Sequence, residues 1–206
     1  MNFDSPQQEF TRKREQHWDS IAVCRYKEKK KNYYQKKLLE IFSLQIPAGK
    51  KILEVGCGAG DLLAGLKPSY GVGIDLSHEM IDIAAQNYPS LTFKHGDFLT
   101  YEIDEKFDFI ILSDLVNDIW DVEALFGKLQ QNVLPHTRVV INFYSRLWEF
   151  PLFLAKKCNL ANPLLKQNWL TVSDMRGIQK LCGFEPVRVC PEILCPVNIP
   201  FVTPFL

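Results

Sequence analysis

Six cysteines are spread through 206 residues without a single C-x-x-C pair, and the four histidines (His17, His78, His95, His136) stand apart from them. That removes the usual zinc-ligand spacings, so no metal site is expected. No apolar stretch approaches the roughly 18 residues of a membrane-spanning helix. The N-terminus is polar and has no apolar h-region, so no secretory signal is expected and the chain reads as a reduced, cytoplasmic protein. Internal repeats and low-complexity segments are absent too. Charge of either sign is not in excess: 24 Lys and Arg meet 24 Asp and Glu. No global field therefore points to nucleic acid, and no nucleic-acid partner is expected.

What is present is ordinary for one globular domain, with 47% hydrophobic and 23% charged residues. The length allows one substantial core and is short for two. The charge is uneven, however. Between Arg12 and Lys37 stand ten Lys and Arg against three acidic residues. That segment is either a solvated helix face or a basic flap over an acidic substrate.

Residues 6–46 read as helical, with LLEIF (38–42) as an apolar face and Pro47 with Gly49 as the stop. Short apolar runs then alternate with helical patterns. The expected strands are 51–56, 70–76, 91–97, 107–114, 137–145 and 184–194. The expected helices are 60–66, 78–87, 121–132, 148–158 and 173–182. Such alternation predicts a parallel sheet with helices on both faces. Continuous apolar runs such as IIL and VVI suit strands covered on both sides.

Within this frame KILEVGCGAGDLLAGL (51–66) stands out. Gly56, Gly58 and Gly60 alternate directly after the first strand, at the carboxyl edge where open α/β sheets bind ligands. Alternate glycines permit a sharp turn and let a ligand lie on bare backbone. A dinucleotide site wants G-x-G-x-x-G, but Asp61 follows Gly60 and would repel a pyrophosphate. The order Glu54-x-Gly56-x-Gly58-x-Gly60 suits S-adenosylmethionine, which carries an ammonium and ribose hydroxyls. Asp75 ends the second strand, where a carboxylate can accept both ribose hydroxyls, or it is simply a turn residue before the next helix. Asp97 and Phe98 follow the third strand, where a carboxylate and an aromatic ring can bracket an adenine.

With these residues in this order the chain resembles the class I S-adenosylmethionine-dependent methyltransferases, over roughly residues 33–190. It is most similar to bacterial methyltransferase domains associated with family 2 glycosyltransferases, through YY (33–34), LEVGCGAGDLL (53–63), GVGIDLS (71–77), LSDLVNDIWDV (112–122), NFYSRLWE (142–149) and QNWLT (167–171). The resemblance implies a three-layer αβα Rossmann-like sandwich with a mostly parallel sheet. It implies an N-terminal helical lid (1–48) on a cofactor-binding domain (49–206). The cofactor would be S-adenosyl-L-methionine, with Gly56, Gly58 and Gly60 at its methionine end and Asp75 at the ribose, and with Glu54, Cys57, Leu76 and Ser113 as further binding candidates. Asp97 and Phe98 would hold the adenine, while Asp114 would face the methyl and the acceptor. Asp114, Asp118 and Tyr34 are then the catalytic candidates, with Trp120 as an apolar wall.

The acceptor implied is a small molecule, or a saccharide or lipid-linked intermediate. The place after the fourth strand reads SDLVND rather than the (Asn/Asp)-Pro-Pro-aromatic segment of DNA amino-methylating relatives. Asp118 also stands where many relatives carry a histidine. Two other readings remain: a non-catalytic binding or docking module with this fold, and a nicotinamide-dependent oxidoreductase. The family's sheet closes with a seventh, antiparallel strand, for which CPVNIPFVTPFL (195–206) is short and proline-rich. The open end predicts either a homodimer or completion by a longer polypeptide, such as a linked glycosyltransferase.

Overall fold

The computed structural model describes residues 5–26, 33–144 and 167–190, with positions 146, 149 and 165. Two helices come first, α1 (Pro6–Tyr26) and α2 (Tyr33–Ser43), both inside the stretch 6–46 expected to be helical. Then follow β1 (Lys51–Val55), α3 (Asp61–Gly65), β2 (Tyr70–Asp75), α4 (His78–Asn87), β3 (Thr92–His95) and β4 (Phe107–Ser113). The chain continues through α5 (Val122–Leu129), a 3-10 turn at Gln130–Asn132, β5 (Val133–Asn142) and α6 (Val172–Leu181).

The five strands form one sheet in the order β3-β2-β1-β4-β5, every pair parallel. Strand order reverses between β1 and β4, so the crevice at their carboxyl ends is the switch point where such sheets bind ligands. Parallel strands need both faces covered, and the side chains of β1 and β4 alternate accordingly. Leu53, Val55, Ile110 and Leu112 enter one core with Leu125, Phe126 and Leu129 of α5. Ile52, Phe109 and Ile111 enter the other with Leu38 and Phe42 of α2 and Leu63 of α3. Each such buried side chain contributes about 1.5–3 kcal/mol, which fixes the register and with it the crevice.

Local signals set the helix starts. Ser77 accepts the Met80 amide and caps α4; Asp121 accepts the Ala124 amide and caps α5. Thr171 and Asp174 form a reciprocal capping box at α6.

One expected strand is absent over its described part. Residues 184–190, the described part of the strand expected over 184–194, pair with nothing as a strand. Gly183 turns left-handed at φ 74° and the Phe184 amide bonds back to the Gln179 carbonyl. The Phe184 ring then packs edge-on against Phe126 at 5.5 Å. This apolar anchor, followed by Pro186, ties the segment to α5 and α6, so Val187 stays exposed. The sheet therefore has five strands among the described residues. The expected helix over 148–158, apart from position 149, the lysines at 29–31 of the basic segment and the tail at 195–206 lie outside the described residues.

Candidate functional site

The glycine turn leaves β1 in three left-handed steps, with φ of 74° at Gly56, 50° at Gly58 and 78° at Gly60. Side chains resist that region and glycine does not. The amides of Gly56 and Cys57 both donate to the Ile74 carbonyl at 2.8 and 3.1 Å, fastening the turn to the end of β2. The three glycines face different surroundings. A Cβ at Gly60 would stand 2.7 Å from the Phe93 ring, and one at Gly56 would stand 3.0 Å from Leu115. At Gly58 a Cβ would meet nothing within 4 Å. Gly56 and Gly60 are demanded by the protein itself, whereas Gly58 borders open space that a ligand would fill.

Asp75 stands against this opening. One carboxylate oxygen accepts the Gly58 amide at 2.7 Å and the other accepts the Ser77 amide at 2.9 Å. Burial pushes its carboxyl above the usual range, and those two amides hold it back. A carboxylate accepts about four hydrogen bonds, so acceptor capacity remains for two ribose hydroxyls.

Other residues expected around the cofactor lie as follows. Glu54 is buried and turned into the fold, accepting the Leu63 amide of α3 at 3.1 Å. Burial raises its carboxyl well above the usual range. The Cys57 thiol is buried, so close over Gly73 that a Cβ there would stand 2.7 Å from its sulfur. Leu76 offers its carbonyl to His95 Nε2 at 3.0 Å. Asp97 accepts the Leu99 amide at 2.9 Å and so shapes the loop after β3. Phe98, expected as the aromatic bracket, has its ring buried in the main core. Ser113 ends β4 opposite Asn142 of β5.

Asp114 follows at φ 54°, a left-handed position that Asp tolerates better than most residues. The Tyr34 hydroxyl of α2 donates to it, 2.9 Å from both carboxylate oxygens. Asn142 Nδ2 donates to Asp114 Oδ1 at 2.6 Å. The Tyr34 ring stacks near Tyr144, centroids 6.3 Å apart. Burial raises the Asp114 carboxyl to about 6, against the hydrogen bonds from Tyr34 and Asn142 that lower it. The Tyr34 hydroxyl is pushed far above the usual phenol range by burial and by the Asp114 charge, so it stays protonated.

The structure brings Tyr34 and Asp114 together and places Asp118 elsewhere, under α1. Arg14 Nε lies 2.9 Å from Asp118 Oδ1 and also donates to the Asp118 carbonyl. Trp18 Nε1 donates to Asp118 Oδ2 at 2.8 Å. Both oxygens are thus engaged by one helix. The Asp118 carboxyl is raised by burial and lowered by Arg14. Trp120 is exposed, its ring edge-on to Phe10 at 5.0 Å. The same helix reaches β2 and β3: Asp19 accepts the Ser77 hydroxyl, and Glu15 lies 3.6 Å from His95.

Two asparagines went unread as structure. Buried Asn117 donates to the carbonyls of Tyr144 and Asn168 and accepts the Tyr144 amide. Asn168 Nδ2 donates to the Ile119 carbonyl at 2.6 Å. Together they zip the loop after β4 to the chain beyond β5. Their signal was the pair of segments LSDLVNDIWDV and QNWLT, whose polar centres suit nothing exposed.

Residues 52–136 match the family model described as "Methyltransferase domain". Phosphoethanolamine N-methyltransferase 1 of Triticum aestivum is 35% identical over 111 residues, which is 50% of this chain and 22% of that protein. The dTDP-3-amino-3,6-dideoxy-alpha-D-glucopyranose N,N-dimethyltransferase of Streptomyces fradiae is 29% identical over 112 residues, 51% of this chain and 42% of that one. The chain thus spans less than half the length of these curated relatives. The crystal structure of magnesium protoporphyrin IX methyltransferase from Synechocystis PCC 6803 with bound S-adenosylhomocysteine superposes with a TM-score of 0.66 at 18% identity, covering 87% of this chain and 91% of that one. That likeness is one of fold.

Proposed function

We propose that this chain, which has the Rossmann-like fold of the class I methyltransferases, transfers a methyl group from S-adenosyl-L-methionine to a small-molecule acceptor. One observation carries the reading: Asp75, pinned to the Gly58 amide at 2.7 Å, borders the open space beside a glycine turn at the switch point of the sheet. Gly58 and the turn would hold the methionine end, Asp75 the ribose, and the loop at Asp97 the adenine. Bound there, the cofactor supplies an electrophilic methyl on a leaving group already made.

The chain's own task is then to orient and to exclude water, and orientation alone supplies about 7–11 kcal/mol. Asp114, with Tyr34 and Asn142 donating to it, is the group we assign to the acceptor. Asp118 we assign to holding the roof. The roof is α1 in the region 1–48, and the contacts of Arg14, Trp18, Asp19 and Glu15 with the loops after β4 and β2 and with the end of β3 support that role. A nicotinamide reading is weaker because the Asp61 carboxylate, bonded to the Tyr88 hydroxyl at 2.7 Å, occupies the first turn of α3.

A saccharide or lipid-linked acceptor, and a link to a glycosyltransferase or to a second copy, rest on resemblance. The aminosugar enzyme among the relatives supports a saccharide. No described helix is long and apolar enough to cross a membrane. The unpaired thiols of Cys57, Cys182 and Cys190 support a cytoplasmic setting. Parallel calorimetric titrations with S-adenosylmethionine, S-adenosylhomocysteine and NAD test the proposal. Binding of the first two and not the third is expected, and the converse would refute it.

A further inference from the structure

Donors and acceptors around Asp114 do not balance. Its carboxylate receives two side-chain donors, the Tyr34 hydroxyl and Asn142 Nδ2, out of the four or so it can accept. Asn142 has spent its amide hydrogens in this cluster, on Asp114 Oδ1 at 2.6 Å and toward the Tyr34 oxygen at 3.5 Å. Its carbonyl oxygen is left buried with no hydrogen-bond partner. An unpaired buried acceptor costs about 1–3 kcal/mol, so the cluster is held in a state that a donor would relieve. Asp114, Tyr34, Asn142 and Tyr144 are each only partly buried as residues, so a group can reach the edge of the cluster, where the Asn142 carbonyl oxygen itself is covered. None of the four side chains is cationic. The cluster therefore offers one negative charge and two acceptor atoms with unused capacity, within one side chain of each other.

We propose that the methyl acceptor is an amine whose nitrogen docks between the Asp114 carboxylate and the Asn142 carbonyl, with Asn142 as a specificity-determining residue. The inference rests on the methyltransferase reading above and narrows it. A hydroxyl brings one donor and can answer only one of the two acceptors. A carboxylate or phosphate brings none and would be repelled by Asp114. An alkylamine arrives as its ammonium ion and has no lone pair until one proton has passed to the Asp114 carboxylate and on to water; the neutral amine then brings two donors and a free lone pair. That lone pair forms the bond to the methyl carbon while the carbon–sulfur bond breaks and its electron pair stays on sulfur. The N-methylammonium so formed carries one proton more than the neutral product. The Asp114 carboxylate takes that proton and passes it to water.

The test uses the full chain and matched probes: ethanolamine against ethylene glycol, glucosamine against glucose, and cyclohexylamine against cyclohexanol and cyclohexanecarboxylate. Cofactor titration comes first, and a folded chain that binds no S-adenosylmethionine defeats the methyltransferase reading itself. With binding in hand, release of S-adenosylhomocysteine is followed for each probe. Turnover is expected with an amine member and not with its hydroxyl or acid counterpart. Asp114→Asn should lower that turnover by about a hundredfold or more, with cofactor affinity unchanged. Asn142→Leu should raise KM for the amine about tenfold with a smaller change in kcat, in a variant whose cooperative melt shows that it is folded. A cofactor-binding chain that methylates hydroxyl or acid probes in preference, or methylates no amine, overturns the proposal. So does an Asn142→Leu variant with wild-type KM.

Discussion

The Tyr34 hydroxyl stands 2.9 Å from both carboxylate oxygens of Asp114, across 80 positions of sequence. The pair joins α2, which precedes the sheet, to the end of its fourth strand. A phenol that keeps its proton is no base, so Tyr34 donates to the carboxylate, and in the proposed site the base role falls to Asp114.

Burial raises Asp114 to about 6, which yields two opposite pH dependences. Its folded value lies above the unfolded value of about 3.9, so the folded state binds this proton more tightly. The stabilising contribution is complete below about pH 3.9 and is lost as pH rises through 6, a change of about 3 kcal/mol at most. Asp114→Asn should therefore raise the melting temperature relative to the parent above pH 6, with no such gain near pH 4. Activity runs the other way, because the base must be ionised: the rate should fall about tenfold per unit below pH 6. Melting curves and rate profiles over pH 4–8 check both signs.

Arg14 and Asp118 form a partly buried pair, 5% and 12% exposed, that holds α1 over the loop after β4. Removing one partner of a buried pair costs about 3–5 kcal/mol, and somewhat less where water still reaches it. Arg14→Ala should destabilise the chain and speed cofactor dissociation. Arg14→Ala combined with Asp118→Asn should cost less than the sum of the single changes, as expected of coupled neighbours. Stopped-flow release of S-adenosylhomocysteine and thermal melts of the four proteins measure both effects. Strict additivity would dissolve the latch.

The glycine turn predicts a contrast between two positions. Gly60→Val should fold poorly, since a Cβ there would press to 2.7 Å from Phe93 at φ 78°. Gly58→Val meets open space and carries mainly the left-handed strain, about 1–2 kcal/mol, so it should fold and lose cofactor affinity. Circular dichroism and titration of the two variants separate these outcomes.

Legibility in the sequence followed the range of the interaction. Five strands and the glycine turn were readable because apolar runs and alternate glycines are local signals. The strand expected over 184–194 was misread over its described part: Val187 and Val189 alternate like a strand, yet Gly183 and Phe184 tie the chain to α5 and α6. Phe98 looked like a ligand contact because only its place after β3 was visible, not the core beneath it. Asp118 fits a candidate base or a loop anchor equally well in the sequence, because its partner Arg14 lies 104 positions away. Asn142 opens the segment NFYSRLWE, yet its role stayed hidden, since it depends on the β4–β5 register that sets it beside Asp114.

The most direct measurement is a pair of calorimetric titrations of S-adenosylmethionine, into the parent chain and into Asp75→Ala. Asp75 offers charge-assisted acceptors worth about 1.5–3 kcal/mol. The predicted result is one site in the parent and an affinity about ten- to a hundredfold weaker in the folded variant. No binding by the parent, or equal affinity in the two proteins, would contradict the assignment of the crevice.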